Sequence, residues 1–167
     1  MPSRVLLPEI ARIYSDLEES SIITLLLITE HHIDKLDRGV AVKQQAVLQN
    51  LFLKALEFRT DNISKAGVTR KIIVNVENAT CKALVQLSLK LPEASLRPLL
   101  FKIFNWATSE DAPVTRLFSL YTLYGYLAAA LKSMFPLFTG SLGSQLIQLL
   151  VSRKTLHSVV TAIAFNC

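Results

Sequence analysis

The sequence TRKIIVNVENATCKALVQLSLKL, residues 69–91, decides the fold class of this chain. Its apolar side chains recur at intervals of three and four residues, the spacing that places them on one face of an α-helix. That stripe consists of Ile72, Ile73, Val76, Ala79, Thr80, Ala83, Leu84 and Leu87. The polar residues Lys71, Glu77 and Lys82 fall elsewhere around the helix. Pro92 predicts where the helix ends, because proline lacks the N–H that a continuing helix needs.

The same spacing extends outward from this segment in both directions. It predicts further helices over residues 8–18, 22–33, 42–58, 95–107, 113–133, 135–150 and 156–164. No segment alternates between apolar and polar residues at period two. Successive helices with short links pack antiparallel, and a helix pair about every 40 residues is typical of HEAT and armadillo stacks. We therefore predict an all-α fold, an α-solenoid of antiparallel helix pairs with about seven or eight helices.

Local residue signals give expectations for three helix ends. Asp37, Arg38 and Gly39 predict a turn in which the glycine takes the left-handed conformation after a helix. Ser95 predicts the N-cap of the following helix, with Pro98 in its first turn. Asp111 is expected to cap a helix that opens near Pro113.

The chain is unusually apolar, with 51% hydrophobic residues and a mean hydropathy of +0.38. Solenoid repeats explain this composition, because each repeat buries its apolar face only against its neighbours. The alternative is a small membrane-associated helical protein that uses the apolar region 117–138. The apolar run 117–131, between Arg116 and Lys132, is shorter than the ~20 residues that cross a bilayer, so no membrane is expected.

No residue pattern predicts catalysis. The two cysteines lie far apart, at Cys81 and Cys167, and form no cluster with histidine, so neither a disulfide framework nor a metal site is expected. His31 and His32 are adjacent, so on a helix they point about 100° apart. No glycine-rich phosphate-binding loop is present. We expect a non-enzyme with no cofactor and no small-molecule substrate.

Positive charge is concentrated in the second part of the chain. The net charge is +5; residues 1–60 contain seven basic and eight acidic residues, and residues 61–167 contain eleven and five. This asymmetry favours an acidic partner such as RNA, and a solvated basic face is the open alternative. The candidate contacts to RNA phosphates or to a partner are Arg70, Lys71, Lys90, Arg97 and Lys102.

Three consecutive blocks resemble a known family. They are RPLLFKIFNWA at 97–107, EDAP at 110–113 and KSMFPLFTG at 132–140, the last ending an aromatic and leucine-rich segment. They look like the C-terminal region of the large nucleolar HEAT-repeat proteins of the small-subunit processome, which are associated with the U-three small nucleolar RNA. Residues 1–150 would form a HEAT-like helical domain fragment. Residues 151–167 do not continue as the resemblance would imply, and we treat them as an atypical C-terminal segment.

The resemblance implies a scaffold role in ribosome biogenesis, in support of small-subunit pre-ribosomal RNA processing. Its implied location is the nucleus and nucleolus, and its implied partners are processome proteins and the small nucleolar ribonucleoprotein. It carries no catalytic residue over to this chain.

Overall fold

A computed structural model describes residues 3–135 of the chain, and in that range every regular element is helical. A 3₁₀ turn, Tyr14–Asp16, follows the first helix, and another, Lys132–Met134, follows the last. The six α-helices are α1 Ser3–Ile13, α2 Glu19–Asp34, α3 Arg38–Asn62, α4 Arg70–Lys90, α5 Glu93–Thr108 and α6 Val114–Leu131. They correspond to the first six predicted helices. The two further predicted helices, 135–150 and 156–164, lie outside the described residues except for Phe135.

The helices form two layers. In one layer α1 packs against α3 and α3 against α5, and in the other α2 packs against α4 and α4 against α6. Each odd-numbered helix also contacts the next helix in the chain, and α3 reaches α6. Stacked antiparallel pairs with this arrangement are an α-solenoid, which confirms the predicted fold class.

The core lies between the two layers and follows the apolar stripes. Every member of the predicted α4 stripe is buried except Ile72, which is half-buried. Facing helices contribute large side chains that are almost fully enclosed: Leu26, Ile33, Leu48, Phe52, Leu56, Leu99, Leu100, Leu120 and Leu127. Enclosing a leucine or phenylalanine side chain stabilises a fold by about 1.5–3 kcal/mol, so this interface is the main favourable contribution to stability.

The start of α4 is fixed by a side-chain cap. Thr69 precedes the helix in an extended conformation, and its hydroxyl accepts a hydrogen bond from the Ile72 N–H at 3.3 Å. The link before it contains Gly67 at φ +88°, a left-handed conformation that glycine adopts without a steric penalty. These two residues turn the chain from α3 into α4.

The residues expected to cap these three helix ends are wrong, although α6 does open next to Pro113 as predicted. Asp37 is extended and directly precedes α3, so Gly39 lies in the first turn of that helix instead of capping the previous one. Pro92 is likewise extended and directly precedes α5, which places Ser95 inside the first turn and Pro98 one turn later. In both links the helix starts at the first residue after an extended one.

The loop before α6 shows why Asp111 does not cap that helix. The Ala112 N–H donates to the Ser109 carbonyl at 2.9 Å and closes a turn, after which Pro113 takes the capping position. Asp111 is exposed in that turn, two residues before the cap. It therefore lies too early in the chain for its carboxylate to occupy the capping position at the first free N–H groups of α6.

No helix among residues 3–135 is both long and apolar enough to cross a membrane. The apolar helix α6 packs instead against α3, α4 and α5. Residues 136–138 of the alternative membrane region lie outside the described residues.

Candidate partner-binding surface

A buried ion pair joins α3 to α4 behind the outer surface. Arg59 donates from Nε to Glu77 Oε1 at 2.9 Å and from Nη2 to Glu77 Oε2 at 2.5 Å. Ser119 of α6 donates from its hydroxyl to Glu77 Oε1 at 2.6 Å. Although the sequence pattern places Glu77 off the apolar stripe, only 6% of its side chain is exposed. Glu77 is therefore an interior carboxylate and not part of the outer surface.

A second polar cluster joins α3, α5 and α6. The carboxylate of Glu57 accepts the indole N–H of Trp106 at 2.7 Å and pairs with Arg116 Nε at 2.9 Å. Arg116 also donates to the Trp106 carbonyl, and its guanidinium carbon lies 5.2 Å from the Trp106 ring centroid, a cation–π arrangement. Trp106 is thus a packing residue, held between a carboxylate and a guanidinium.

In these two clusters the guanidinium groups of Arg59 in α3 and Arg116 in α6 form ion pairs between helices. As a result, Arg59 and Arg116 are not available to a partner, whereas basic groups on the outer side of α4 are. Helices α4 and α6 together contain five basic side chains and one carboxylate, that of Glu77. The charge of Glu77 is neutralised in the protein interior by its ion pair with Arg59.

The outer side of α4 carries a straight polar line, which we call the α4 ridge: Lys71, Asn75, Asn78 and Lys82. Their spacings of four, three and four residues place them on one side of the helix. Lys71, Asn75 and Lys82 are exposed and Asn78 is half-buried. Neither lysine has an ion-pair partner among residues 3–135. The ridge therefore offers amide and ammonium donors, and the one carboxylate of the same helix, Glu77, is buried on its other side.

A shallow groove runs beside the α4 ridge. It has a volume of about 230 Å³ and is lined by Ile23 and Leu27 of α2 and by Asn75, Asn78, Ala79 and Lys82 of α4. Leu27 is 48% exposed. An edge that combines donors with exposed apolar surface suits a macromolecular partner better than a small, enclosed ligand.

The structure separates the five predicted contact residues. Arg70 and Lys71 begin α4 and Lys90 ends it, 19 residues from Lys71 and therefore about 28 Å along the axis. Lys90 Nζ donates to the Asp34 carbonyl at the end of α2, at 2.5 Å, where a cation is favoured by the helix dipole. Arg97 and Lys102 lie on α5, in the other layer. The five predicted residues therefore do not form one continuous surface that a single RNA or protein partner could contact.

The two α5 candidates also differ from each other. Arg97 pairs with Glu93, one turn earlier, at 2.7 Å. Lys102 is exposed, and five residues of helix separate it from Arg97 by about 140° around the axis. The α5 pair is thus less suited to a shared contact than Lys71 and Lys82.

Lys82 is absent from the contact residues predicted from the sequence. Its spacing of 11 residues from Lys71, three helical turns, was the available signal, since 11 residues return almost to the same side of a helix. The sequence-based prediction chose Lys90, Arg97 and Lys102 instead, because all three lie near the Pro92 turn in the sequence. That turn connects α4 and α5, which belong to different layers.

Among residues 3–135, no group of three or more histidine, cysteine, aspartate or glutamate side chains could hold a metal ion. Cys81 is a buried free thiol, and burial raises its pKa above the ordinary thiol value, so it is a poor nucleophile at neutral pH.

Comparison with known proteins identifies relatives that are named as HEAT repeat-containing proteins. The chain is 36% identical over 146 residues to the human HEAT repeat-containing protein 1, a match that covers 83% of this chain and 6% of the relative. It is 32% identical over 161 residues to the zebrafish (Danio rerio) HEAT repeat-containing protein 1, covering 95% of this chain and 7% of the relative. In Mycosarcoma maydis, the U3 small nucleolar RNA-associated protein 10 is 27% identical over 141 residues, covering 75% of this chain and 6% of that protein.

The chain therefore spans less than a tenth of the length of these relatives. No solved structure matches it. Residues 40–164 match the BP28CT (NUC211) domain, a range that includes all three resembling blocks and continues past residue 150. The division at residue 150 stays a prediction. Because the match covers well over half of its residues, the chain belongs to the BP28CT (NUC211) domain family.

Proposed function

We propose that this chain is a non-catalytic scaffold segment in ribosome biogenesis, which supports processing of the small-subunit ribosomal RNA precursor within the nucleolar pre-ribosome. The observation that carries the proposal is the family match over residues 40–164, since a member of this group of relatives is named for its association with the U3 small nucleolar RNA. The proposed location is the nucleus and nucleolus. The proposed partners are processome proteins and the small nucleolar ribonucleoprotein.

The helical stack supports a scaffold role physically. Two layers with a continuous core hold their outer helix faces at fixed positions, and such faces form the extended binding surfaces of solenoid proteins. The similarity to HEAT repeat-containing proteins supports the proposal that the chain is a non-enzyme.

For RNA, we propose that the α4 ridge is the first contact surface, with Arg70 beside it. Lys71 and Lys82 are exposed ammonium groups about 16 Å apart along the helix, and the α4 ridge has no carboxylate to repel phosphates. Lys90, Arg97 and Lys102 remain proposed contacts of a second, separate patch around the Pro92 turn.

Affinity purification of the tagged chain from cells of its source tests the scaffold role. Recovery of U3 small nucleolar RNA together with processome proteins is the expected result. A soluble chain that recovers neither would refute the proposed role for this chain and leave only the fold and the family relationship.

Charge reversal tests the RNA contact. Lys71→Glu/Lys82→Glu should weaken binding to a precursor ribosomal RNA fragment and lower the slope of log affinity against log salt by roughly 0.7–0.9 for each phosphate that is no longer neutralised. Lys35→Glu/Lys43→Glu, which makes the same change of charge at two exposed lysines outside both proposed contact patches, is the matched control for the α4 ridge. Equal weakening in both variants would indicate a general electrostatic effect and contradict the assignment to α4.

A further inference from the structure

The order of side chains along the α4 ridge is ammonium, amide, amide, ammonium. Lys71 and Lys82 stand at its two ends, about 16 Å apart along the helix axis, and Asn75 and Asn78 lie between them. Neither amide has a hydrogen-bond partner among residues 3–135, and each carries both donors and an acceptor. The ridge can therefore form hydrogen bonds in its middle and bind negative charge at both ends.

The surface beside the ridge has no group on which a base could stack. The six residues that line the groove between α2 and α4 are aliphatic or polar, and none is aromatic. Proteins that bind single-stranded RNA stack its bases on aromatic rings or on arginine planes. At the α4 ridge a single strand would therefore be held through its backbone alone.

The ridge is also held in a fixed line. Helix α4 packs against α2, α3 and α6, and its opposite side is anchored in the core by Val76, Ala83, Leu84 and Leu87. A rigid row of contacts binds most favourably to a partner whose groups already hold fixed positions, because little ordering is then required on binding. The phosphates of a duplex satisfy this condition better than those of a single strand.

The chemistry of the two amides favours an RNA duplex over a DNA duplex. The minor groove of A-form RNA is wide and shallow and displays the 2′-hydroxyl groups, whereas its major groove is too deep and narrow for side chains to read. A 2′-hydroxyl both donates and accepts hydrogen bonds, as an asparagine amide does. DNA lacks this hydroxyl, so the middle of the ridge would lose its partners there.

The charges of the neighbouring helices indicate on which side of α4 such a duplex would lie. Helix α6 contains no aspartate or glutamate, whereas the last two turns of α2 contain Glu30 and Asp34. Phosphates near those carboxylates would be repelled. The favourable direction is therefore from α4 towards α6.

We propose that the α4 ridge binds double-stranded RNA across its minor groove, with Lys71 and Lys82 at phosphates and Asn75 and Asn78 at 2′-hydroxyl groups between them. The inference rests on the RNA contact proposed above and adds the form of the RNA. It predicts a preference for the RNA duplex that comes from the amides, and an affinity for any phosphate backbone that comes from the lysines.

The test compares three fluorescein-labelled probes by fluorescence anisotropy with the full chain. They are an RNA duplex of about 16 base pairs, a length that presents two successive minor grooves, a DNA duplex of the same sequence, and one strand of the RNA. The RNA duplex should bind roughly three- to tenfold more tightly than either other probe. Equal affinity for both duplexes, or tighter binding of the single strand, would overturn the proposal while the RNA contact stands. Binding of none of the probes would refute the RNA contact itself.

A variant of the two amides assigns the preference. Asn75→Ala/Asn78→Ala should bind the RNA and DNA duplexes equally, with its affinity for DNA unchanged, since both lysines remain. Asn50→Ala/Asn105→Ala removes two exposed amides from α3 and α5 in the other layer and should keep the preference of the original chain. A preference for RNA that survives in the first variant, or disappears in the control as well, would contradict the assignment to the ridge.

Discussion

Arg59 of α3 and Glu77 of α4 form a two-bond ion pair that is almost removed from solvent, with 15% and 6% of their side chains exposed. Ser119 of α6 completes the hydrogen bonding of the same carboxylate. Three helices from both layers therefore meet at a single buried charge. Such a pair adds little net stability compared with apolar residues, but it strongly penalises any packing that separates its members.

Removing one member of this pair should therefore cost far more than removing both. We expect Arg59→Met to lower the free energy of unfolding by about 3–5 kcal/mol, because Glu77 would remain buried without its cation. The double variant Arg59→Met/Glu77→Leu should recover more than half of that decrease. Urea denaturation followed by circular dichroism measures both, and a single-variant cost below about 1 kcal/mol would contradict a buried pair.

Trp106 provides a direct probe of the second polar cluster, since it is the single tryptophan of the chain. Glu57→Ala removes the acceptor of its indole N–H and the partner of Arg116. We expect a shift of tryptophan emission to longer wavelength and a decrease of about 1–3 kcal/mol in unfolding free energy. Glu110→Ala, which removes an exposed carboxylate close in sequence, should change neither. An unaltered spectrum in Glu57→Ala would count against the cluster.

Two glycines should respond to alanine with opposite signs. Gly39 lies within α3 and has open space where a methyl group would stand, so Gly39→Ala should stabilise the chain by about 0.5–1 kcal/mol. Gly67 also has open space but sits at φ +88°, so Gly67→Ala should destabilise the chain by about 1–2 kcal/mol through backbone strain alone. Thermal unfolding of the two variants gives the comparison. Shifts of the same sign would show that one of the two backbone conformations is wrong.

Stability should fall in alkaline solution. Burial raises the pKa of the Cys81 thiol and of the Tyr14 and Tyr124 hydroxyls above their ordinary values. In the unfolded chain a thiol ionises near pH ~8.5 and a tyrosine near pH ~10, whereas the folded chain keeps these protons. Proton release then favours unfolding, so the stability that is present below about pH 8.5 declines as the pH rises.

Urea denaturation at a series of pH values measures this decline. Cys81→Ala should remove the part that begins near pH ~8.5 and keep the part that begins near pH ~10. A stability that stays constant from neutral pH to well above the ordinary tyrosine pKa would contradict the burial of all three groups.

The helical periodicity predicted most of the architecture. The stripe from Ile73 to Leu87 is buried as expected, and the first six predicted helices are present. The capping residues were predicted poorly, because Asp37, Pro92 and Pro113 precede their helices in extended backbone conformations without side-chain caps. The predicted opening of α6 near Pro113 is itself correct. At Thr69 the side chain does cap the helix, and there the predicted start is correct.

The candidate surface was predicted only in part. Lys71 was among the predicted contacts because it begins the helix before the Pro92 turn, whereas Lys82 was not predicted, and Arg97 and Lys102 lie in the other layer. Which basic residues share a surface depends on which helix faces pack inward. That choice became visible only when α2 and α6 were placed on either side of α4.

The sequence alone determined that this chain is a stack of helices with a family resemblance, because helical periodicity and short motifs are local properties that neighbouring residues carry together. The tertiary structure decided which charged side chains form ion pairs in the protein interior. Arg59 and Glu77 lie 18 residues apart, Glu77 and Ser119 lie 42 apart, and Glu57 and Arg116 lie 59 apart. No periodicity relates positions so distant, and only the packing of α3, α4 and α6 brings each carboxylate to its partner and leaves the lysines of the α4 ridge facing outward.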